Sequence, residues 1–237
     1  TGNPFLREKM EIENRLGRIQ LAKIDYETTR QKLQKFMAID GPVRLKDKDA
    51  KIAGLMADKL RMDDAALKDS DGKNLFQMTL GEKIITDRDE AAKILMTAAK
   101  GGFTAATAVK GSYRGMNLRI LIDPMAMEPY LSLSGARTYR IGFSEKPEVT
   151  MRRLDALHDG IIKELKATQE ERSRIAEDVK EAEEKIKKPF PYAAEEAEKK
   201  ARLIEIVRQM EQGSDVARAA VPREAVSEEP ARAAYAR

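Results

Sequence analysis

The apolar residues at the start of the chain recur with the period of an α-helix. Over residues 5–37 they follow a spacing of four and three positions, which predicts one long amphipathic helix. Asp40, Gly41 and Pro42 then predict a turn, because glycine can close a helix and proline cannot continue one. A second helix over residues 46–67 is predicted to fold back on the first as an antiparallel hairpin.

Residues 74–144 change to an alternating pattern, which indicates β-strands. A helix over residues 87–100 is expected within this segment, beginning at an N-cap pair of Asp87 and Glu90. The predicted strands are 76–80, 83–85, 116–122, 130–134 and 138–143. Because their apolar residues share one side, we expect a small antiparallel sheet with the helix covering that side.

Helical periodicity returns after Pro147 and predicts a long helix that pairs antiparallel with the first one. Lys188–Pro191 is interpreted as a corner between helices rather than a peptide-recognition ligand. The predicted fold class is α+β and mainly helical. Its domains are a helical coiled-coil arm at 1–70, an α+β module of order β-β-α-β-β-β at 71–147, returning coiled-coil helices at 148–212, and a poorly ordered tail at 213–237.

Composition narrows the function classes. Charged residues make up 35% of the 237 residues and aromatic residues 5%, a balance typical of exposed helices. Cysteine is absent and His158 is the single histidine, which excludes disulfides, thiol nucleophiles and Cys/His zinc sites. Neither a signal peptide nor a membrane-spanning apolar run is present, so we expect a soluble, cytoplasmic piece of a larger protein.

Motifs for enzyme chemistry are missing from the sequence. It has no phosphate-binding loop, no Gly-x-Ser-x-Gly elbow and no His-Glu-x-x-His pair. Asp69–Gly72 has the beginning of a calcium loop but lacks the closing glutamate, so a plain turn is predicted. No catalytic residue, cofactor or metal ion is predicted. An enzyme would need a site assembled from scattered acidic, arginine and tyrosine residues.

Positive charge is concentrated in one segment. The whole chain has 44 basic and 40 acidic residues, but residues 100–153 contain nine basic residues against four acidic ones. Arg119 and Arg140 are predicted to project from the open side of the sheet, with Tyr113 and Tyr130 beside them. Phosphate contact, with occasional stacking of bases on these rings, is therefore feasible. The alternative is a merely solvated basic face with the tyrosines in the core or in edge pairs.

The candidate contact residues combine this segment with the helix that follows it. Arg152 and Arg153 are expected at a helix start, where positive charge opposes the helix dipole, and this misfit is a hint of function. The full candidate set is Lys110, Tyr113, Arg114, Arg119, Tyr130, Arg137, Arg140, Arg152 and Arg153.

Several segments resemble one family of large proteins. They are the opening run TGNPFLREKM with EIEN and Leu16, the run MTLGEK at 78–83, Tyr113–Gly115, and KPFP at 188–191. Over nearly the whole chain up to about residue 211, it resembles the stretch after the helicase core in helicase/DNA-methylase fusion proteins of bacterial conjugative elements, which are mobile genetic elements. The resemblance implies a C-terminal accessory region of a superfamily 2 type DNA helicase with an adenine-specific methylase elsewhere in the polypeptide. None of the matching residues belongs to a catalytic motif.

Two functions compete at this point. The first is a non-catalytic DNA-handling accessory region that contacts DNA without sequence choice, with the helicase and methylase domains of the same polypeptide as partners and no membrane. The second is a structural coiled-coil module for protein–protein interaction, including homo-oligomers formed through its helices.

Overall fold

The computed structural model describes residues 4–72, 74–101, 106 and 109–219, the last seven by backbone alone. The fold is α+β and mainly helical, as the sequence predicts. Its helices include α1 (Pro4–Lys35), α2 (Gly41–Asp64), α3 (Arg88–Lys100), α4 (Pro147–Asp155), α5 (Leu157–Lys187) and α6 (Ala193–Ala219). Its strands include β1 (Met78–Leu80), β2 (Lys83–Ile85), β3 (Lys110–Tyr113), β4 (Met116–Ile122), β5 (Pro129–Ser134) and β6 (Thr138–Gly142).

Contacts divide the chain into two compact units. The first contains the residues up to Gln34 and those from Glu183 onward, and the second contains Lys35–Ala182. Both boundaries fall inside or beside long helices. The first unit is therefore built mainly from α1 and α6, and the second contains the sheet and the remaining helices.

In the first unit α1 runs antiparallel to α6. Ion pairs connect the two helices at Glu8 with Arg202 (2.8 Å), Arg15 with Glu195 (2.6 Å) and Lys23 with Glu196 (3.2 Å). The apolar contacts of α1 lie beneath these ion pairs, where Ile12 and Ile19 are buried. These contacts correct the predicted pairing of the first helix with the helix that follows Pro147.

The corner between α5 and α6 explains this pairing. The predicted corner at Lys188–Pro191 is confirmed, since α5 ends at Lys187 and α6 begins at Ala193. The Phe190 ring lies 5.4 Å from the ring of Tyr26, whose hydroxyl donates a hydrogen bond to the Lys188 carbonyl (2.6 Å). Because the corner is fixed beside Tyr26, α6 returns along the first part of α1.

The turn predicted at Asp40–Pro42 is not formed, so the prediction that the second helix folds back on the first as a hairpin is wrong. Residues Phe36–Asp40 make a π-helical segment, and the backbone stays right-handed helical at Lys35, Asp40 and Gly41. Pro42 lies in the first turn of α2, directly after the π-helical segment, so the helical backbone passes through the Gly-Pro pair without a turn. A Gly-Pro pair often stops a helix, but it is also compatible with a helix that begins directly after a π-helical segment.

In the second unit α2 runs antiparallel to α5. Ion pairs join Asp49 to Arg172 (2.6 Å) and Lys51 to Glu164 (2.6 Å), and Lys48 pairs with Glu171. Near the other end of this pair, the His158 ring lies 2.7 Å from the carboxylate of Asp63. The single histidine therefore takes part in a contact between two helices.

The sheet has six antiparallel strands in the order β2-β1-β3-β4-β5-β6. Strand β3 was missed from the sequence because Gly111 and Ser112 interrupt apolar alternation. A side chain at Gly111 would collide with the Thr79 carbonyl, so β1 and β3 can pair only with a glycine there. Arg114 and Gly115, both with positive φ, form the tight turn to β4, as expected for a type I′ hairpin.

One face of the sheet is the core of this unit. Alternate residues of β4 are buried there, together with Leu131 and Leu133 of β5, and helix α3 shares this core as predicted. The helix starts at an Asp87 cap that accepts hydrogen bonds from the N–H groups of Asp89 and Glu90. Helices α2 and α4 join α3 in the same core, so the cover is larger than the one predicted helix. The core residues from these helices include Leu55, Met62, Ala91, Leu95, Met151 and Leu154.

Two helix boundaries differ from the predictions. The helix after Pro147 is interrupted at Ala156 and continues as α5. Helix α6 extends to Ala219, beyond the end predicted near Gly213, and the rest of the predicted tail, residues 220–237, lies outside the described residues.

Candidate nucleic-acid interface

The outer face of the sheet carries a transverse row of positive charge. Lys110 pairs in register with Arg119, Arg119 with Ser132, and Ser132 with Arg140. All three cations are exposed, and they lie on neighbouring or next-neighbouring strands about 4.8 Å apart. We call Lys110, Arg119 and Arg140 the basic row. The sequence prediction that Arg119 and Arg140 share the open face is confirmed by this register.

A second row beside it offers neutral hydrogen-bonding groups. In register across β1, β3, β4, β5 and β6 lie the polar side chains of Thr79, Ser112, Asn117, Ser134 and Thr138. This row was not predicted from the sequence, since it depends on β3 and on the register between strands. Hydroxyl and amide groups of this kind can donate hydrogen bonds to phosphate and sugar oxygens.

Arg140 is held in place by two neighbours. Its guanidinium lies 4.0 Å from the centre of the Tyr130 ring and 2.6 Å from the carboxylate of Asp123. The guanidinium therefore covers the face of Tyr130 that the sequence analysis assigned to base stacking. What remains available to a ligand is the outer side of the guanidinium, which can stack on a base or bind a phosphate.

Asp123 is a fixed negative charge at one end of the basic row. Its carboxylate accepts hydrogen bonds from the backbone N–H groups of Ala126 and Met125 and from Arg140. These donors lower the pKa of Asp123 to about 2, the Ala126 N–H contributing most. The carboxylate is therefore ionised at any physiological pH and offsets part of the positive charge of Arg140.

Tyr113 does not belong to this face. Its side chain is buried on the inner side of the sheet, and its hydroxyl donates a hydrogen bond to Asp155 (2.7 Å). Burial, followed by the contact with Asp155, raises the pKa of Tyr113 well above its ordinary value. The prediction that Tyr113 offers a ring to a base is wrong, because β3 places this residue in the core.

Arg114 and Arg137 lie in hairpin turns rather than in the basic row. Arg114 occupies the β3–β4 turn with its guanidinium 5.7 Å from the Tyr113 ring. The Arg137 stem packs so closely on α2 that a side chain at Gly54 would meet its Cγ atom at 2.8 Å. Neither arginine extends the row across the strands, although both were candidates.

Arg152 and Arg153 are at the end of α4, not at its start. Their positive charges therefore favour the helix dipole, and the electrostatic misfit expected from the sequence is absent. Arg153 donates a hydrogen bond to the Gly142 carbonyl (3.0 Å) and so ties α4 to the last strand. This hydrogen bond gives Arg153 a structural role.

Asp58 is a buried carboxylate that the sequence analysis missed. It lies on α2 and accepts hydrogen bonds from the backbone N–H groups of Ala136 (2.5 Å) and Arg137 (2.8 Å) and from the Tyr139 hydroxyl (2.9 Å). Gly135 is required beside it, since a Cβ atom there would lie 2.1 Å from a carboxylate oxygen. Burial, then this hydrogen bond, raises the pKa of Tyr139. Asp58 anchors the β5–β6 hairpin.

Comparison with known proteins adds no relative. No protein-family model, curated protein sequence or solved structure matches this chain. Within the described residues, no group of three or more His, Cys, Asp or Glu side chains could hold a metal ion. None of the helices in that part of the chain combines the length and apolarity needed to cross a membrane. The fold and site define an α+β, mainly helical protein with a polar and basic sheet face.

Proposed function

We propose that this chain is a non-catalytic accessory region that contacts DNA through the outer face of its sheet, without choosing a sequence. The observation that carries the proposal is the basic row. Three exposed cations stand in register across four strands, beside a row of hydroxyl and amide groups. Such an array can bind phosphates in a continuous backbone, and contacts to phosphates carry no sequence information.

The resemblance to helicase/methylase fusion proteins of conjugative elements supports the same function. In such a polypeptide the ATP and methyl-donor sites would lie in other domains, and this region would act in the bacterial cytoplasm by holding DNA near them. An exposed sheet face suits that task because it can accept a nucleic-acid strand without a conformational change in the module.

A structural module for protein interaction is the second candidate. It is favoured by apolar side chains that α1 leaves exposed, among them Met10 (57%), Leu21 (66%) and Ile24 (50%). These residues lie opposite the helix face that buries Ile12 and Ile19. A partner helix could cover them, which predicts association that depends on protein concentration and is insensitive to the basic row.

The first test measures DNA binding of a Lys110→Ala/Arg119→Ala/Arg140→Ala variant across a salt series. We expect the unchanged protein to bind DNA with an affinity that falls steeply with salt. The variant should bind about tenfold or more weakly at low salt, and the slope of log K against log salt should shrink by about two to three. Fluorescence anisotropy with labelled DNA would measure both quantities.

A matched control removes the same number of charges elsewhere in the second unit. Lys163, Lys166 and Lys180 are exposed lysines of α5, and their replacement by alanine should leave the affinity within about twofold. If both variants weaken binding equally, net charge rather than the sheet face is responsible. If neither weakens it, or the unchanged protein does not bind, the proposal is wrong and the interaction module becomes the leading function.

A further inference from the structure

The loop between β4 and β5, which follows the strand that carries Arg119, exposes two methionines. Met125 is 94% exposed and Met127 is 73% exposed. Large apolar side chains are seldom this exposed, because contact between apolar surface and water is unfavourable. Single exposed apolar residues are common on protein surfaces, but here two occupy one short loop at the edge of a polar face.

Hydrogen bonds hold this loop in a defined shape. The Asp123 carboxylate accepts from the N–H groups of Met125 (2.9 Å) and Ala126 (3.0 Å), and the Asp123 carbonyl accepts from the N–H of Met127 (2.8 Å). The Asp123 N–H in turn donates to the Glu128 carbonyl (2.9 Å). Met127 has a positive φ of 55°, a conformation that these bonds maintain. The methionines are thus presented by a preformed loop.

The same aspartate connects the loop to the basic row. Asp123 directly follows β4 and pairs with Arg140, whose guanidinium extends along the outer face over Tyr130. Tyr130 and Leu121 are the paired outer-face residues nearest this end of β4 and β5. The methionines therefore lie at the end of the sheet towards which Arg140 extends. A ligand that binds the basic row and extends towards this end of the sheet would reach the methionines.

We infer that Met125 and Met127 contact unpaired nucleobases, so that the ligand of this face is single-stranded rather than double-stranded nucleic acid. The inference rests on the proposed function. Phosphates on the basic row would bring the attached bases to the loop, where a methionine side chain can pack on a flat base or wedge between two of them. Bases inside a duplex are stacked and paired, and they offer the loop no such surface.

The test compares two double variants with the unchanged protein. Met125→Ala/Met127→Ala removes the apolar side chains, and Met125→Leu/Met127→Leu retains most of their volume. Neither disturbs the core, since both methionines project into solvent. Binding to a labelled oligothymidylate and to a labelled duplex of equal length would be measured at the same low salt concentration, with the Lys110→Ala/Arg119→Ala/Arg140→Ala variant alongside.

We expect the unchanged protein to prefer the single strand. The alanine variant should lose about tenfold in affinity for it with duplex affinity unchanged, and the leucine variant should lose about twofold or less. If the alanine variant binds both ligands as the unchanged protein does while the basic-row variant binds weakly, the methionine inference is wrong and the proposed function stands. Failure of the unchanged protein to bind either ligand would overturn both.

Discussion

At the scale of single residues, Asp58 is completely buried and its carboxylate accepts three hydrogen bonds. Its replacement by alanine would leave two backbone N–H groups and a phenol hydroxyl without a partner in the core. We expect Asp58→Ala to lower the free energy of unfolding by about 3 kcal/mol or more, since a buried donor that loses its partner keeps its full desolvation cost. Urea denaturation followed by circular dichroism would measure the change.

Two milder variants make this expectation specific. Asp58→Asn keeps one carbonyl oxygen but turns an amide NH₂ towards a donor, so it should cost about 2 kcal/mol. Tyr139→Phe removes one of the three hydrogen bonds and should cost about 1 kcal/mol. An Asp58→Ala variant no less stable than Tyr139→Phe would show that the backbone hydrogen bonds to Asp58 contribute little.

At the scale of elements, Gly41 tests how closely α2 and α5 approach. An alanine there would place its Cβ atom 2.6 Å from Val179 Cγ2 and 3.0 Å from the Phe36 carbonyl oxygen. Alanine normally stabilises a helix relative to glycine, but the overlap must be relieved by moving one of these groups. We therefore expect Gly41→Ala to destabilise the protein by about 1–2 kcal/mol, measured by urea denaturation.

Gly160 of α5 provides the matched control for this substitution. It is exposed, and a Cβ atom there would meet no other atom within 4 Å. Gly160→Ala should therefore stabilise the protein by about 0.5 kcal/mol through helix propensity alone. The same substitution would then lower the stability at one position and raise it at the other. Stabilisation at Gly41 as well would mean that the helices can separate at no cost.

The elements also show where sequence reasoning succeeds. The alternation of apolar and polar residues predicted β4 and β6 and correctly assigned Arg119 and Arg140 to the outer face. This works because burial of one face of a sheet gives its strands an apolar residue at every second position. It failed at β3, where Gly111 and Ser112 carry no apolar signal, and so Tyr113 was assigned to the wrong side. Polar side chains become a row only when the register is known, which made the neutral row unpredictable.

Helix pairing was predicted less well for a related reason. The long helices have similar heptad patterns, and periodicity alone does not say which two of them pair. The partner of α1 is set by the corner at Phe190, which lies outside the helical repeats, and by its contacts with Tyr26. The π-helical segment before Gly41 was likewise invisible, because the Gly-Pro pair fits both a turn and a helix start.

At the scale of the whole molecule, many surface carboxylates have lowered pKa values. Hydrogen bonds from Arg202, Lys48 and Arg15 are the main cause for Glu8, Glu171 and Glu195, respectively, and a Lys59 contact is the main cause for Asp63. A carboxylate whose pKa is lower in the folded state stabilises that state above its unfolded pKa of about 4. This contribution is lost as the pH falls through the folded values.

Because these lowered pKa values stabilise the folded state only while the carboxylates are ionised, the protein should lose stability in acid. The urea midpoint should change little between about pH 7 and pH 5 and should fall between about pH 4 and pH 2. Because these pairs are exposed, about 0.5 M salt should reduce the acid-induced loss relative to about 0.05 M salt. A midpoint that holds constant down to pH 2, or a loss that grows with salt, would contradict this account.

The hydrogen bond between Asp58 and Tyr139 has a consequence beyond its contribution to stability. Successive side chains of a strand point to opposite faces, so an inward Tyr139 requires an outward Arg140. A slip of β6 by one residue would bury the arginine and expose Ile141, and it would separate the phenol from the aspartate. A buried carboxylate on α2 thereby disfavours the misregistered hairpin and helps to keep Arg140 on the outer surface.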